Sequence, residues 1–477
     1  MSAPLWTSAD MALVTGGAAT ADFNVIGSVS IDTRTLKPGD LFVALTDQRD
    51  GHDFVEAAFA AGASGALVSR KVGDGPQIVV DDVLKALEQM GIEARSRCAA
   101  HRTAVTGSAG KTSVKEMLAQ IYRAFGPAHW NVKSFNNHWG VPLTLTRMPE
   151  ETTRAVFEIG MSTPGEIAPR SHMVRPHTGI VTCIAGAHLE GLGSLSAVAH
   201  EKADIFAGLE AGGTFILPAD DEFFEYLAGR ARRFCPTGNL ESFGHAANAT
   251  ARIVGYETDG QESRIQLDVV GKPVLVKLNA VGEHWALNAA AAVLAASQSG
   301  LAVTDCAEAL SGYTPPPGRG TSERLALPGG GHITLIDDAY NANPASMRAS
   351  LAALTRRPEG RRLVALGEML EIGATSDEEH ASLAAPVVET GAAGVFLVGD
   401  KMTHLADSLP PQLQQIWAPN WEELWNQLEK TLQDGDVLLI KGSNASGMGR
   451  LADRLRQWSE PALGKMDSGA ESAAEVG

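Results

Sequence analysis

The sequence is short of cysteine, of positive charge and of long apolar runs, and each shortage excludes something. Four cysteines stand in 477 residues, at Cys98, Cys183, Cys235 and Cys306. None lies near enough to another for a Cys-x-x-Cys pair. A disulfide framework or thiolate zinc site is therefore not expected, and a reducing compartment fits. Lys and Arg number 39 against 56 Asp and Glu, a net charge of −17. That argues against a nucleic-acid backbone as the main partner. It leaves a phosphorylated substrate open, because a local pocket can be positive on an acidic protein. No stretch reaches about 18 uninterrupted apolar residues, and the alanine-rich run 286–296 is too short to span a bilayer. The first thirty residues carry no basic start followed by an apolar run, so no secretory signal is expected. The expectation is a soluble cytoplasmic protein with no membrane span.

What is present suffices for a core. Hydrophobic residues make up 44% and charged residues 20%, which excludes global disorder. At roughly 150 residues per domain the length suggests about three domains. Residues 1–98 read as a small α/β unit. It has strands near 28–31 and 41–45 around the turn Lys37-Pro38-Gly39-Asp40, a helix over 54–61, strands at 65–68 and 78–80, and a helix starting at 83. Residues 99–314 read as a second unit. A strand at 103–106 runs into Gly107-Ser108-Ala109-Gly110, and a helix follows with Val114, Leu118, Ile121, Tyr122 and Phe125 at helical spacing. Strands at 155–159, 179–184 and 214–217 imply a parallel sheet covered on both faces. Residues 250–280 alternate like an antiparallel insertion or edge, and 286–297 is strongly helical. Thr314-Pro315-Pro316-Pro317-Gly318 is a semi-rigid linker. A third α/β unit follows to 462, with strands at 333–336, 362–366, 394–398 and 437–440. The tail 463–477 is small, polar and acidic, and disorder is expected there.

The sharpest motif is Thr106-Gly107-Ser108-Ala109-Gly110-Lys111-Thr112, between a strand and a helix. Glycines let backbone N–H groups approach phosphate oxygens, and the helix N-terminus adds partial positive charge. Lys111 can reach the β and γ phosphates, and the Thr112 hydroxyl can join a Mg²⁺ shell. Two residues rather than four separate the first glycine from the Gly-Lys pair, and Val105 stands where the longer pattern has glycine. The plain alternative is an ordinary glycine turn before a helix.

This shortened loop resembles that of the Mur ligases and their folate-polyglutamate synthetase relatives. Further matches follow in order along nearly the whole chain: Asn136-Asn137 through Leu143, Glu158-Ile159-Gly160-Met161 with Pro164-Gly165-Glu166-Ile167, and Ala187-His188-Leu189-Glu190. Gly193-Ser194, Glu201-Lys202-Ala203-Asp204 and Gly282-Glu283-His284 with Asn288 continue the series. The branch that adds D-alanyl-D-alanine fits best. Asp337 through Pro344, Gly367-Glu368-Met369 and Lys441-Gly442-Ser443 resemble its last domain. Asp32-Thr33-Arg34, Pro38 through Phe42 and Asp50 through Phe54 resemble its UDP-sugar-binding domain. No Asp-Asn-Pro-Arg segment is present, which speaks against the diaminopimelate- or lysine-adding relatives.

The resemblance implies an α/β fold of three domains: a small UDP-binding domain, a central P-loop domain with a parallel sheet, and a Rossmann-like C-terminal domain. It implies an ADP-forming amide ligase, with ATP and Mg²⁺ as cofactors. Such an enzyme joins D-alanyl-D-alanine to UDP-N-acetylmuramoyl-tripeptide through an acyl phosphate and makes a peptidoglycan precursor. A monomer is expected. By resemblance Lys111, Glu158, His188 and Lys202 are catalytic, and Thr112, Glu158, His188 and a carbamylated Lys202 serve the metal. Gly107, Ser108, Ala109, Gly110, Lys111, Thr112 and Ser113 would hold nucleotide with Asn288, Arg319, Asp338, Tyr340 and Asn341. Ser30, Thr33, Arg34, Asn136, Asn137, Asn343 and Lys441 would hold substrate.

Plainer alternatives stand beside several of these. Glu158 could cap a helix or sit in a salt bridge, and His188 could be a structural histidine. Lys202 could be a surface lysine paired with Glu201 or Asp204, and Lys441 a surface lysine too. Arg324 rivals Arg319 as the residue that follows the linker. Trp285 replaces the family's usual asparagine, and an indole lacks an amide's paired donor and acceptor. Two other functions are also open: a ligase acting on a different acceptor, and a P-loop switch that hydrolyses nucleotide under a partner's control.

Overall fold

The computed structural model describes residues 3–132, 134–186, 189–357 and 360–459. The expected disordered tail and His188 lie outside the described residues. The chain divides into two compact units. The first runs to Thr314 and takes in Glu371–Ala374; the second holds Pro315–Leu370 and resumes at Thr375.

The first unit contains two large sheets. Near the N-terminus, five strands run in the order Ala18–Ala19, Gln77–Val79, Gly65–Val68, Leu41–Val43, Val29–Ser30, parallel except for the first pair. The Lys37–Asp40 turn closes on the Asp40 carboxylate, which accepts from the N–H groups of Lys37 at 2.9 Å and Ser28 at 2.6 Å. His52 is a second lock. Its Nδ1 meets Asp50 Oδ1 at 2.6 Å, and its Nε2 lies 2.9 Å from the Ser69 N–H and 3.1 Å from the Ser69 hydroxyl. Asp, His and Ser thus stand in relay order, but the Ser69 N–H occupies the Nε2 lone pair. The ring is held as a structural bridge rather than left as a base.

This sheet is fastened to the helix Gly140–Thr146. Trp6 Nε1 donates to the Thr146 carbonyl at 2.9 Å, Arg147 Nε donates to the Val29 carbonyl at 2.5 Å, and Leu143 packs among Trp6, Val29, Leu67 and Leu87.

The second sheet has nine strands. From one edge they are Lys272–Leu278, Ser263–Val269, Ala251–Thr258, Asn239–Gly244, Thr214–Pro218, Thr178–Val181, His101–Thr106, Arg154–Glu158 and Ala128–Trp130. The first three pair antiparallel and the rest parallel. The alternation over 250–280 is therefore an antiparallel edge. Successive residues of the parallel strands face opposite layers, as a pleated strand requires. Val105, Val156, Ile180 and Ile216 pack with helices Lys111–Ala124, Glu283–Ser297 and Val303–Leu310. Ala104, Phe157, Val181 and Phe215 pack on the other side with helices Gly140–Thr146, Ile167–Val174 and Phe224–Phe234. Helix Glu283–Ser297 is buried nearly all round, and its alanine run lets neighbouring helix and sheet approach closely.

The second unit is a six-stranded sheet: Thr321–Ala326, His332–Asp338, Asp436–Lys441, Arg361–Gly367, Gly394–Val398, Gln415–Ala418. The first pair is antiparallel and the others parallel. The two outer strands are additional to the four expected. From Ser322 on, Thr321–Ala326 alternates exposed and half-buried residues, as an edge strand does, so it lacks the apolar run that marks a central strand.

Candidate nucleotide-binding and ligase site

The strand His101–Thr106 sits where the sheet's connections reverse. Its neighbours Arg154–Glu158 and Thr178–Val181 lead outward to opposite edges. In open parallel sheets, ligands bind beyond the carboxyl ends of strands at such a switch point. The loop Gly107–Gly110 leaves this strand end and opens the helix Lys111–Ala124. Both glycines are required. Gly107 has φ 148°, and a Cβ there would stand 1.8 Å from Thr182 Oγ1. Gly110 has φ 81°, and a Cβ there would stand 2.6 Å from Asn288 Oδ1.

The loop is braced from the next strand. Ser108 N–H donates to the Cys183 carbonyl at 2.9 Å, Ser108 Oγ donates to the Ala185 carbonyl at 2.9 Å, and Thr182 Oγ1 donates to the Ala109 carbonyl at 2.5 Å. Gly110 is the N-cap of the helix, and no side chain caps the first turn. That end is suited to an anion. Lys111 Nζ folds back on the Gly107 carbonyl at 2.6 Å, so its charge already lies over the loop. Thr112 and Ser113 are buried.

Glu158 ends the adjacent strand and is 1% exposed. Its Oε2 accepts from Thr112 Oγ1 at 2.8 Å and its Oε1 from Asn136 Nδ2 at 2.8 Å. It caps no helix. The only charge-paired nitrogen near it among the described residues is Lys115 Nζ, at 4.0 Å. Asn137 Oδ1 accepts from the Gly140 N–H at 2.9 Å and so starts the helix that fastens the N-terminal sheet.

Lys202 is 1% exposed on the helix Leu195–Ala203. The two acids that the surface-lysine alternative would pair with it are engaged elsewhere. Glu201 accepts from the N–H groups of Gly165 at 2.7 Å, Glu166 at 2.9 Å and Ile167 at 2.9 Å; Asp204 is bound by Arg230. Among the described residues the Lys202 ammonium has neither an ion pair nor a hydrogen bond. Burial, then repulsion from Lys111, holds its pKa well below the ordinary lysine value.

Asn288 is buried with its amide against Gly110. Trp285 is buried too, its ring 6.1 Å from that of Tyr313 and 5.3 Å from that of His284, so here it packs. Ser30, Thr33 and Arg34 belong to the N-terminal sheet's edge. Ser30 Oγ donates to the Asp32 carbonyl at 3.1 Å, Thr33 is half-buried, and Arg34 pairs with Asp32 at 2.7 Å.

The remaining expected residues lie in the second unit. Lys441 is 2% exposed, pairs with Asp338 Oδ2 at 2.8 Å and donates to the Asn341 carbonyl at 3.1 Å, so it is no surface lysine. Ser350 also donates to Asp338. The Arg319 guanidinium lies 4.0 Å from the centroid of the Tyr340 ring, whereas Arg324 is an exposed edge-strand residue. Asn343 caps the helix Pro344–Thr355 in a reciprocal box with Ser346.

The comparisons fit this geometry. The family model for the Mur ligase middle domain matches residues 105–296, and that for the Mur ligase glutamate ligase domain matches residues 323–444. The chain belongs to the Mur ligase family. The UDP-N-acetylmuramoyl-tripeptide–D-alanyl-D-alanine ligase of Escherichia coli (strain K12) is 35% identical over 441 residues, 91% of this chain and 94% of that protein. The enzyme of the same name from Rickettsia prowazekii is 29% identical and covers 94% of this chain and 99% of its own length. Among solved structures, MurF from Acinetobacter baumannii superimposes with a TM-score of 0.82 at 28% identity, over 95% of this chain and 99% of that one.

Three residues that touch the loop or Glu158 carry no expectation from the sequence: Lys115, Asn131 and Thr182. Lys115 had a signal, since it stands four residues after Lys111 on the same helical face. Asn131 and Thr182 had none, because only sheet pairing brings Asn131 to Glu158 and Thr182 to the loop. Among the described residues, no three His, Cys, Asp or Glu side chains form a metal cluster by themselves. Mg²⁺ needs no such cluster. It commonly takes one or two carboxylates and completes its shell with phosphates and water, so the Glu158 carboxylate beside the Thr112 hydroxyl fits it.

Proposed function

We propose that the protein joins D-alanyl-D-alanine to UDP-N-acetylmuramoyl-tripeptide and cleaves ATP to ADP and phosphate. The observation that carries the reading is Glu158. A buried carboxylate is fixed by Thr112 and Asn136 at a strand end, beside an uncapped helix N-terminus that bears Lys111. A nucleotide switch would use the loop but would have no use for Lys202, a buried lysine with its neighbours committed elsewhere. The names of the relatives specify the acceptor and the dipeptide.

In this reading the loop N–H groups and Lys111 grip the β and γ phosphates. Glu158 and Thr112 would hold Mg²⁺, which neutralises phosphate charge. The terminal carboxylate of the tripeptide attacks the γ phosphorus, the bond to the β-phosphate oxygen breaks, and ADP leaves. The amine of the dipeptide then adds to the acyl carbon and loses a proton, and the tetrahedral adduct expels phosphate to leave an amide. Like-charge repulsion opposes the first step, and the cation at Lys111 offsets it.

Lys202 is proposed to act as a carbamate. Its neutral amine would add CO₂ and release a proton, turning a buried cation-former into an anion near Lys111. His188 keeps its metal role as part of this proposal. Ser30, Thr33 and Arg34 are proposed for the uridine nucleotide, and Asn136 and Asn137 for the peptide. The second unit is proposed to hold the dipeptide with Asn343 and Lys441, and to offer Arg319, Asp338, Tyr340 and Asn341 to nucleotide. Four free cysteines and an ATP requirement suit the cytoplasm, and no helix among the described residues is long and apolar enough to cross a membrane.

The test uses γ-labelled ATP. Label should pass to phosphate only with both the UDP-tripeptide and D-alanyl-D-alanine present, and mass spectrometry should show the joined product. Steady release with either omitted overturns the reading.

A further inference from the structure

Lys115 is 0% exposed, on the first turns of the helix that the nucleotide loop opens. A buried ammonium is costly unless its surroundings use it. Its Nζ donates to the Asn131 carbonyl at 2.9 Å, pairs with Glu116 Oε1 at 2.7 Å, and lies 4.0 Å from Glu158 Oε2.

Asn131, itself 0% exposed, converts that anchor into a frame for Glu158. Its Oδ1 accepts the Glu158 N–H at 2.7 Å, and its Nδ2 donates to the Phe135 carbonyl at 2.5 Å. Phe135 directly precedes Asn136, whose amide holds Glu158 Oε1. The backbone of Glu158 and one of its two side-chain donors therefore both depend on Asn131. Lys115 fastens Asn131 and sets a positive charge beside the carboxylate.

We infer that Lys115 is a positioning residue. Through Asn131 it fixes the Glu158 carboxylate in place before the metal–nucleotide arrives. This rests on the reading that Glu158 receives the metal. Groups that orient a metal-binding carboxylate typically contribute about 10- to 100-fold in metal affinity.

The experiment uses Lys115→Met, which keeps length and removes charge and donors, and Lys115→Gln as a second variant. Mn²⁺ binding to the enzyme–ADP complex is titrated by electron paramagnetic resonance. ADP binding in EDTA is measured by calorimetry, and folding is followed by thermal melting. The expected result is a loss of Mn²⁺ affinity of about tenfold or more, with metal-free ADP affinity held within about twofold. The half-saturating Mg²⁺ for turnover should rise by the same factor as the Mn²⁺ loss. Glu158→Gln is the control. If it binds Mn²⁺ as the parent does, the metal reading of Glu158 fails and this inference falls with it. If Glu158→Gln loses the ion but a folded Lys115 variant keeps it, this inference alone is overturned. Equal losses of metal-free ADP and of Mn²⁺ affinity, or failure of both Lys115 variants to fold, would make the lysine structural and also overturn it.

Discussion

At the scale of single residues, the site concentrates charges that the fold does not need. Lys202 illustrates this. Its pKa is depressed by burial and by Lys111, so the unfolded chain binds its proton more readily than the folded one. Its burial therefore costs stability at neutral pH, and that cost fades as pH rises toward the ordinary lysine value. Lys202→Met should abolish turnover yet raise the melting temperature in CO₂-free buffer by a few degrees, on the order of what a kcal/mol-scale relief gives. Added formate or acetate should restore part of the activity of Lys202→Ala; no rescue would count against the carbamate. Lys111→Ala should lower ATP turnover by about a hundredfold or more, because a donor aimed at developing phosphate charge is lost. Near-normal turnover would mean that the loop is not catalytic. The types of these residues were legible in sequence, since lysine after glycine and glutamate after an apolar run are local patterns. Their partners were not. The plain alternative for Lys202, a surface lysine paired with Glu201, does not hold, because Glu201 binds three backbone N–H groups from a segment some 35 residues earlier in the chain.

At the scale of elements, the outermost parallel strand, Ala128–Trp130, carries a pH-dependent contact. His129 Nε2 lies 2.7 Å from the Thr144 carbonyl, and burial brings its pKa down to about 4. The folded imidazole is thus neutral where the unfolded one, near 6.5, takes a proton. Stability from this group is complete above the unfolded value and is lost as pH falls from about 6.5 toward about 4, amounting to about 3 kcal/mol at the acid end. Denaturant melts at pH 7.5 and 4.5 should show this slope together with that of His101, which burial also brings down to about 4, and His129→Gln, which keeps an N–H donor, should reduce it. A slope unchanged in the variant would assign the acid sensitivity elsewhere. Most central strands were readable because both faces are buried and their residues form apolar runs; Asn239–Gly244 was not, since its first half is mostly polar and partly exposed. Ala128–Trp130, Thr321–Ala326 and Gln415–Ala418 were not, because a short edge strand takes its conformation from its neighbour's hydrogen bonds more than from its own composition.

At the scale of the whole molecule, two compact units meet in sequence at Thr314-Pro315, so a single two-state transition is not expected. Calorimetry should resolve two transitions. ADP with Mg²⁺ at a hundredfold excess over its dissociation constant should stabilise the unit that contains residues 105–296 by about 2.7 kcal/mol. A shift confined to the other transition would contradict a nucleotide site on the Gly107–Thr112 loop. The proline linker marked this boundary in the sequence. The close fastening of the N-terminal sheet to the helix Gly140–Thr146 left no such mark, since Trp6, Arg147 and Leu143 read separately as ordinary apolar or basic residues.

The sequence by itself determined the chemistry on offer: a glycine turn with a lysine, an acid at a strand end, a lysine in an Glu-Lys-x-Asp run and a stiff proline joint. Local spacing suffices for that, because backbone conformation and helix periodicity act over a few residues. The tertiary structure alone decided which acid stands against which hydroxyl, which lysine is stripped of water, and that Asn131 and Lys115 frame Glu158. Those outcomes depend on strand order and burial, which join residues far apart in the chain and appear in no short stretch of it.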